Sequence, residues 1–393
     1  MTVQQNTDRI QTTHIGSLPR PHRLLDVMKA KYSGEPYDEA AFAAALRTAV
    51  ADVVRQQVDC GIDIVTDGEF SKPGFFTYVR ARLDGFETRP SVKLKLFEQE
   101  VAAFPEYYEQ YFKQAMMGGA IVPLAPVVCV GPVRYRGEKL LQADIENVKA
   151  AAAAVGVANE HVFLPATAPS GVGINEYYKS DEEYFHSLAA ELSKEYRAIV
   201  DAGILVQIDD PFLPDIFYEV GLDDVQKKRR AQIYVEAINT ALEGIPPEYV
   251  RFHTCYGINE GPRLYEAALA DIIDYMLKID AGSYSFEAAN PRHEHEYHLF
   301  ESVKVPDGKV LVPGVVTHAS NIVEHPELIA ERIIRFTRLA GRENVIAGAD
   351  CGFSSQAMYN TEVHHTVVWE KFKAMRQGAG LATDRLWGKR RAA

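Results

Sequence analysis

Cysteine is scarce in this chain: Cys60, Cys129, Cys255 and Cys351 are all it has in 393 residues. Thiols spread that thinly cannot build the disulfide framework of a secreted scaffold. In a reducing compartment they point to metal binding, to catalysis or to plain burial. Long apolar runs are missing as well. The N-terminal "MTVQQNTDRIQTTHIGS" has no hydrophobic stretch of the kind that directs secretion. The longest small-residue run, "KAAAAAVGVANE", is too short and too closely flanked by charge to span a bilayer. A cytoplasmic location is expected, with no membrane partner. Positive charge is the third shortage. Lys and Arg number 42 against 54 Asp and Glu, and the net charge of −12 argues against a nucleic-acid or anionic-membrane surface. Only the terminal "GKRRAA" is locally basic, and it reads as a solvated tail.

What is present is enough to build a large core: 47% of residues are hydrophobic, and no stretch has the composition of a disordered segment. Runs rich in β-branched residues read as strands at 11–17, 63–69, 125–131, 161–167, 204–210, 250–255, 283–288, 310–318 and 344–351. Helical periodicity fills most of the intervals, over 40–60, 181–201, 224–243, 263–279 and 326–340. This alternation predicts a parallel sheet wrapped by helices, and eight such repeats predict one (β/α)8 catalytic barrel spanning 1–393. Run 125–131 is one strand too many and is assigned to an excursion over 88–135. The aromatic residues Phe104, Tyr107, Tyr108, Tyr111 and Phe112 crowd that excursion. Their helical spacing predicts packing on the barrel or against a second copy of the chain, with a lid over the barrel mouth as the alternative.

Several strand candidates end in reactive residues: Asp67 and Glu69, Asp209 and Asp210, His253 and Cys255, Glu287, His318, Asp350 and Cys351. In a barrel these C-terminal ends ring one mouth, where active sites are built. His253 and Cys255 are two residues apart, so on a strand both side chains face the same way. Taken alone, the pair suits a packed thiol beside a core histidine as well as it suits a metal. With Glu287 and Cys351 it makes one imidazole, two thiols and a carboxylate, a donor set that suits Zn²⁺. Cys60 and Cys129 fit burial. The run "NPRHEHEYH" adds His293, His295 and His298. An exposed helix start is the expectation there, with a second metal site as the alternative.

The ordered motifs "THIGS", "DGE", "QIDDP", "HTCYG", "FEAAN", "VVTHAS" and "ADCGF" carry a resemblance. The chain resembles the C-terminal catalytic barrel of cobalamin-independent methionine synthase, within the uroporphyrinogen-decarboxylase-like superfamily. The resemblance implies zinc ligands at His253, Cys255, Glu287 and Cys351, with Glu287 the ligand that yields to an incoming sulfur. It implies a general acid at His318. It also implies a homocysteine site in which Ile15, Gly16 and Ser17 hold the carboxylate while Glu69 and Asp209 hold the ammonium. The expected partners are a small-molecule thiol and an alkyl donor: a methyl-folate, a methyl-corrinoid or an epoxide. The family's second barrel, which helps bind polyglutamylated folate, has no counterpart in these residues. Arg20 and Lys72 add positive charge where an anionic thiol could bind. The alternative function is therefore that of the similar epoxyalkane:coenzyme M transferases, single barrels that open an epoxide with a zinc-bound thiolate. A metal-free decarboxylase-like or ligand-binding barrel is the alternative of another class.

Overall fold

Parallel strands β3 (Phe163–Thr167), β5 (Leu205–Asp209), β6 (Val250–His253), β7 (Ser283–Phe286), β8 (Val310–Val316) and β9 (Gly348–Ala349) neighbour one another in that order. They belong to a computed structural model that describes residues 5–92, 96–114, 119–122, 125–257 and 260–388. The two N-terminal strand candidates contract to isolated bridges that complete the ring. Thr12 pairs with Ala347, Thr13 with Ile64, and Val65 with Val162, all parallel. The sheet thereby curls from the segment around Thr12 to the segment around Ala347, which lie side by side, as the barrel expectation requires.

Alternation along the strands decides what faces inward. Val206, Ile208, Val250, Phe252, Tyr284 and Phe286 join the large core shared with the surrounding helices. Their neighbours Leu205, Val310 and Val312 form a separate inner cluster with Ile64, Phe163 and Ile346. The inward register runs on from that plug to polar side chains: Leu205 to Gln207 to Asp209, and Arg251 to His253. Arg251 caps the plug, with its guanidinium 3.8 Å from the centre of the Phe163 ring and hydrogen bonds to Thr13 Oγ1 (3.0 Å) and the His14 carbonyl (2.8 Å). Pairing of Asp209 with His253 and of His253 with Ser285 sets these residues in one row at the C-terminal ends.

The helices follow the expected periodicity where their caps are strong. Asp38 accepts from the amides of Ala40 and Ala41 ahead of Glu39–Asp59, Ser180 caps Asp181–Asp201, and Asp223 forms a capping box with Gln226 ahead of Asp224–Leu242. The expected helix 263–279 shortens to Leu269–Met276. Arg263 has a left-handed backbone (φ 57°), and Glu100 takes the amides of Leu264 and Tyr265, which keeps these residues out of the helix. Helices His22–Ser33, Glu138–Ala154 and His365–Trp387 go beyond the expected set. No helix among the described residues is long and apolar enough to cross a membrane.

Strand candidate 125–131 lies outside the barrel. It forms β2 (Val127–Tyr135), antiparallel to β1 (Leu83–Thr88) and flanked by the short β4 (Ile174–Asn175). A buried polar knot ties this small sheet to the barrel. Glu195, 1% exposed, accepts from Tyr78 and Tyr135 (2.8 Å each) and pairs with Arg82 (3.0 Å), which also reaches Asp144 at 2.5 Å. The basic residues 389–391 lie outside the described residues.

Candidate functional site

At the barrel mouth His253, Cys255 and Cys351 come together, with one donor atom from each lying within 4.8 Å of the others. His253 ends β6, Cys255 lies in the segment just after it, and Cys351 lies in the turn after β9. The two sulfurs are 3.0 Å apart, and all three side chains are buried. His253 Nδ1 meets Ser285 Oγ at 3.2 Å, and its Nε2 is buried without a hydrogen-bond partner. Burial, with the nearby charges of Arg251 and His318, lowers the His253 pKa to about 3 and keeps the imidazole neutral, its ligand form. Its hydrogen bond to Cys255, together with burial, pushes the Cys351 thiol well above its ordinary range. A bound cation reverses that preference, because a ligating thiol deprotonates. A buried imidazole with one unpartnered nitrogen, clustered with two thiols, fits a metal of the zinc type.

Glu287, expected as the fourth ligand, is grouped elsewhere. Its carboxylate clusters with His318 and Asp350. Oε1 accepts from the Tyr256 amide (3.0 Å), and Oε2 accepts from Arg263 (2.7 Å) and Asn290 (2.6 Å). Asp350 is likewise filled, by the amides of Ala288 and Ala289 at 2.8 Å each. With these donors in place the second group has no need of an added cation. His318, expected as the general acid, is 1% exposed and reaches the Gly257 carbonyl through Nε2 at 3.3 Å. Its Nδ1 is buried without a partner. Burial, with the charge of Arg263, lowers its pKa to about 4.

A cavity of about 420 Å³ opens above the three donors. Ile15, Ser17, Glu69 and Asp209 line it, together with His253, Cys255 and Cys351. Gly16 stands just behind, at φ +137°, and a Cβ there would come within 2.6 Å of Pro165 and 3.0 Å of Glu69 Oε1. Glu69 has a left-handed backbone (φ 60°), and its amide is held by Asp67 at 2.9 Å. Its Oε2 is buried without a hydrogen-bond partner. Burial and the adjacent Glu69 raise the Asp209 pKa well above the usual carboxylate range. Two crowded carboxylates of this kind are relieved by a cationic ligand group.

The remaining walls are largely aromatic. Phe75, Phe76 and Phe212 pack with ring centres 4.9–6.4 Å apart, and Phe97 and Tyr218 line the same space. Leu96, Phe97 and Glu98 bring the excursion to this wall, while its Tyr108 and Tyr111 are buried. The sequence pattern gave no signal for the Phe75–Phe76–Phe212 wall or for Arg263 and Asn290. Arg263 falls inside the expected helix 263–279, but the roles of all these residues arise from contacts between elements distant in the chain.

Arg20 and Lys72 are committed elsewhere. The Arg20 guanidinium binds the carbonyls of Ser354 (3.0 Å), Glu69 (2.8 Å) and Lys72 (2.9 Å). Lys72 Nζ meets the Pro165 carbonyl at 2.5 Å and Glu69 Oε2 at 3.4 Å. Of the three histidines in "NPRHEHEYH", His293 is buried between Glu296 (2.7 Å) and Glu266 (3.0 Å), and His298 pairs with Glu301 at the surface.

The family model described as "Cobalamin-independent synthase, Catalytic domain" matches residues 10–134 and 147–370. The chain is similar to the methionine synthase of Thermococcus kodakarensis, with 27% identity over 87% of this chain and 86% of that protein. It is similar to the methionine synthase of Saccharolobus solfataricus at 23% identity, over 96% of both. Its fold is similar to that of a B12-independent methionine synthase from Shewanella sp. W3-18-1, with a TM-score of 0.73 and 18% identity over 96% of this chain and 99% of that one.

Proposed function

This chain belongs to the cobalamin-independent synthase catalytic-domain family, and from that premise we propose that it methylates homocysteine at a zinc site built on His253, Cys255 and Cys351. The observation that carries this reading is the buried His-Cys-Cys cluster, with its orphaned imidazole nitrogen, at the floor of a cavity that Glu69 and Asp209 also line. Zinc bound there supplies a lowered pKa for a coordinated thiol, so that a thiolate exists at neutral pH, without redox chemistry of its own.

The chain's own residues do the rest. Ile15, Gly16 and Ser17 hold the amino-acid carboxylate, and Glu69 with Asp209 holds the ammonium. This pairing is supported by a Glu69 oxygen that accepts no hydrogen bond, although it pairs with Lys72 Nζ at 3.4 Å, and by the raised Asp209 pKa. The aromatic wall of Phe75, Phe76 and Phe212 excludes water and suits a flat or macrocyclic methyl carrier, a methyl-folate or a methyl-corrinoid. His318 is the proton relay to the leaving atom: its Nδ1 makes no hydrogen bond and must first take up a proton, since the neutral ring keeps its one N–H on the Nε2 that faces the Gly257 carbonyl. Within the 88–135 excursion, Leu96, Phe97 and Glu98 act as a wall of the site, consistent with their place on the cavity lining. Opening of an epoxide by coenzyme M loses its electrostatic support, since Arg20 and Lys72 are spent on backbone carbonyls.

The test is turnover of zinc-loaded protein with homocysteine, coenzyme M or glutathione, each against methyl-folate, methylcobalamin and an epoxide. Homocysteine methylation is the expected positive. Cys255→Ser and Cys351→Ser should each lose most of about one equivalent of zinc. Full zinc occupancy in both variants overturns the ligand assignment.

A further inference from the structure

Glu362 lines the same cavity as the three metal-site donors but has no part in holding homocysteine. Its Oε1 accepts from the Tyr111 hydroxyl, and its Oε2 is buried without a hydrogen-bond partner. The backbone beneath it is pinned. Asn321 Nδ2 donates to the Glu362 carbonyl (3.0 Å), and Asn321 Oδ1 takes the His364 amide (2.7 Å). Tyr111 is equally fixed. It belongs to the helix Pro105–Gln114 and is buried, with its ring among those of Tyr107, Tyr108 and Phe112 at centre distances of 5.8–6.1 Å. The excursion is tied to this wall by the antiparallel bridge of Ala120 with Met358 and by the Ile121 amide on the Ala357 carbonyl (2.8 Å). Burial, with the neighbouring Glu260, pushes the Glu362 pKa up to about 7 despite the Tyr111 hydrogen bond and the charge of Arg263. No lysine or arginine is among the described residues that line the cavity, so its walls offer the bare oxygen no cation. A buried carboxylate oxygen without a donor is unfavourable, and a ligand N–H that reaches it removes the penalty.

We propose that Glu362 is the specificity-determining residue for the methyl donor, its bare oxygen accepting N–H groups from the edge of a nitrogen heterocycle that lies against the aromatic wall. The proposal rests on the methyl-transfer reading given above and selects between the donors named there. The chemistry of the two carriers separates them. A pterin presents an amino group and a ring N–H side by side in its plane, a donor edge that suits a carboxylate. The ring nitrogens of a corrin are all bound to cobalt, and its N–H groups sit on peripheral amides at the ends of flexible arms. A fixed carboxylate gains little from such an amide, because ordering the arm offsets the bond. Orientation supports the same choice. Tyr111 occupies Oε1 and leaves Oε2 for the ligand, while the near-parallel rings of Phe75 and Phe212, with planes 24° apart, offer a flat heterocycle a face to stack on. Homocysteine does not compete for this oxygen, since its ammonium belongs to Glu69 and Asp209.

The experiment is calorimetric titration of the zinc-loaded chain with methyl-tetrahydrofolate, methylcobalamin and homocysteine in turn. Glu362→Gln keeps the shape of the side chain but exchanges one acceptor oxygen for a donor. It should weaken methyl-tetrahydrofolate by about tenfold or more, the effect of one lost hydrogen bond to a charged group. Homocysteine and methylcobalamin should bind as they do to the wild type, whereas a merely structural role would move all three ligands together. Glu362→Leu combined with Tyr111→Phe replaces both hydrogen-bond partners by apolar groups, so that no hydroxyl is stranded, and should show the same selective loss. Wild-type affinity for methyl-tetrahydrofolate in Glu362→Gln overturns the proposal. Equal weakening of the three ligands also overturns it, as does a wild type that takes up no methyl-tetrahydrofolate. Should the double variant fail to fold, the Glu362→Gln result decides alone. Failure of the methyl-transfer reading looks different: a selective loss in Glu362→Gln, with a wild type that methylates no homocysteine, would uphold the heterocycle site and end only the assigned reaction.

Discussion

His293 makes stability depend on pH in a direction that can be worked out in advance. The side chain is 4% exposed and donates from both ring nitrogens, to Glu296 at 2.7 Å and to Glu266 at 3.0 Å, which only the protonated ring can do. Burial opposes the charge, but the hydrogen bonds to Glu266 and Glu296 and the nearby carboxylates outweigh it, raising the pKa from 6.5 to about 9. At about 1.4 kcal/mol per pH unit, that shift corresponds to about 3 kcal/mol of folding free energy. Because the folded pKa is raised, the contribution is fully present below the unfolded value of 6.5 and is lost as pH rises through about 9. Urea unfolding of wild type and His293→Gln between about pH 6 and about pH 9.5 checks this. The wild type should lose about 3 kcal/mol more than the variant across that range. Parallel curves would refute the reasoning, because they would mean that folding takes up no proton at this ring.

Other perturbations have equally definite outcomes. Arg82→Met strands Glu195 and Asp144 in the interior and should cost about 3–5 kcal/mol in chemical denaturation; a loss under about 1 kcal/mol would mean that the knot is wet. Gly16→Ala drives a Cβ against Pro165 and Glu69, whereas Gly34, also at positive φ, has open space around it. Homocysteine binding by calorimetry should therefore weaken by about tenfold or more in Gly16→Ala, a cost of about 1–3 kcal/mol from overpacking, and stay unchanged in Gly34→Ala. Equal affinities would remove Gly16 from the cradle. His318→Asn should slow methyl transfer by about 10²-fold or more while zinc content holds; normal turnover would end its role as proton donor.

The barrel was readable from the chain because β/α alternation is a local signal, and the inward row of Gln207, Asp209, Arg251 and His253 follows from a period of two. The same signal overshot at 11–17 and 63–69, where single bridges at Thr12, Thr13, Ile64 and Val65 do the work of whole strands. Helix 263–279 lost its first residues to Glu100, a partner more than 160 positions away that no periodicity exposes. Within the site, the His253–Cys255 spacing and the Cys351 motif carried through to one cluster. The motif for Glu287 placed it on the correct strand end, but its partner depends on Arg263, whose left-handed turn leaves no mark in composition. "NPRHEHEYH" was legible as charged and polar, whereas the burial of His293 between two glutamates comes from the fold alone.

The bridge between Thr12 and Ala347 also has a meaning in time. Synthesis proceeds from the N-terminus, so Thr12 emerges well before its partner Ala347 and waits for it. Cys351 follows Ala347 by four positions, so the last segment to close the ring also delivers the second thiol. A chain that stops before this point holds His253 and Cys255 but lacks Cys351. Under the proposed zinc site, capture of a metal by all three donors would therefore mark a polypeptide synthesised past Cys351 and closed at the Thr12–Ala347 bridge.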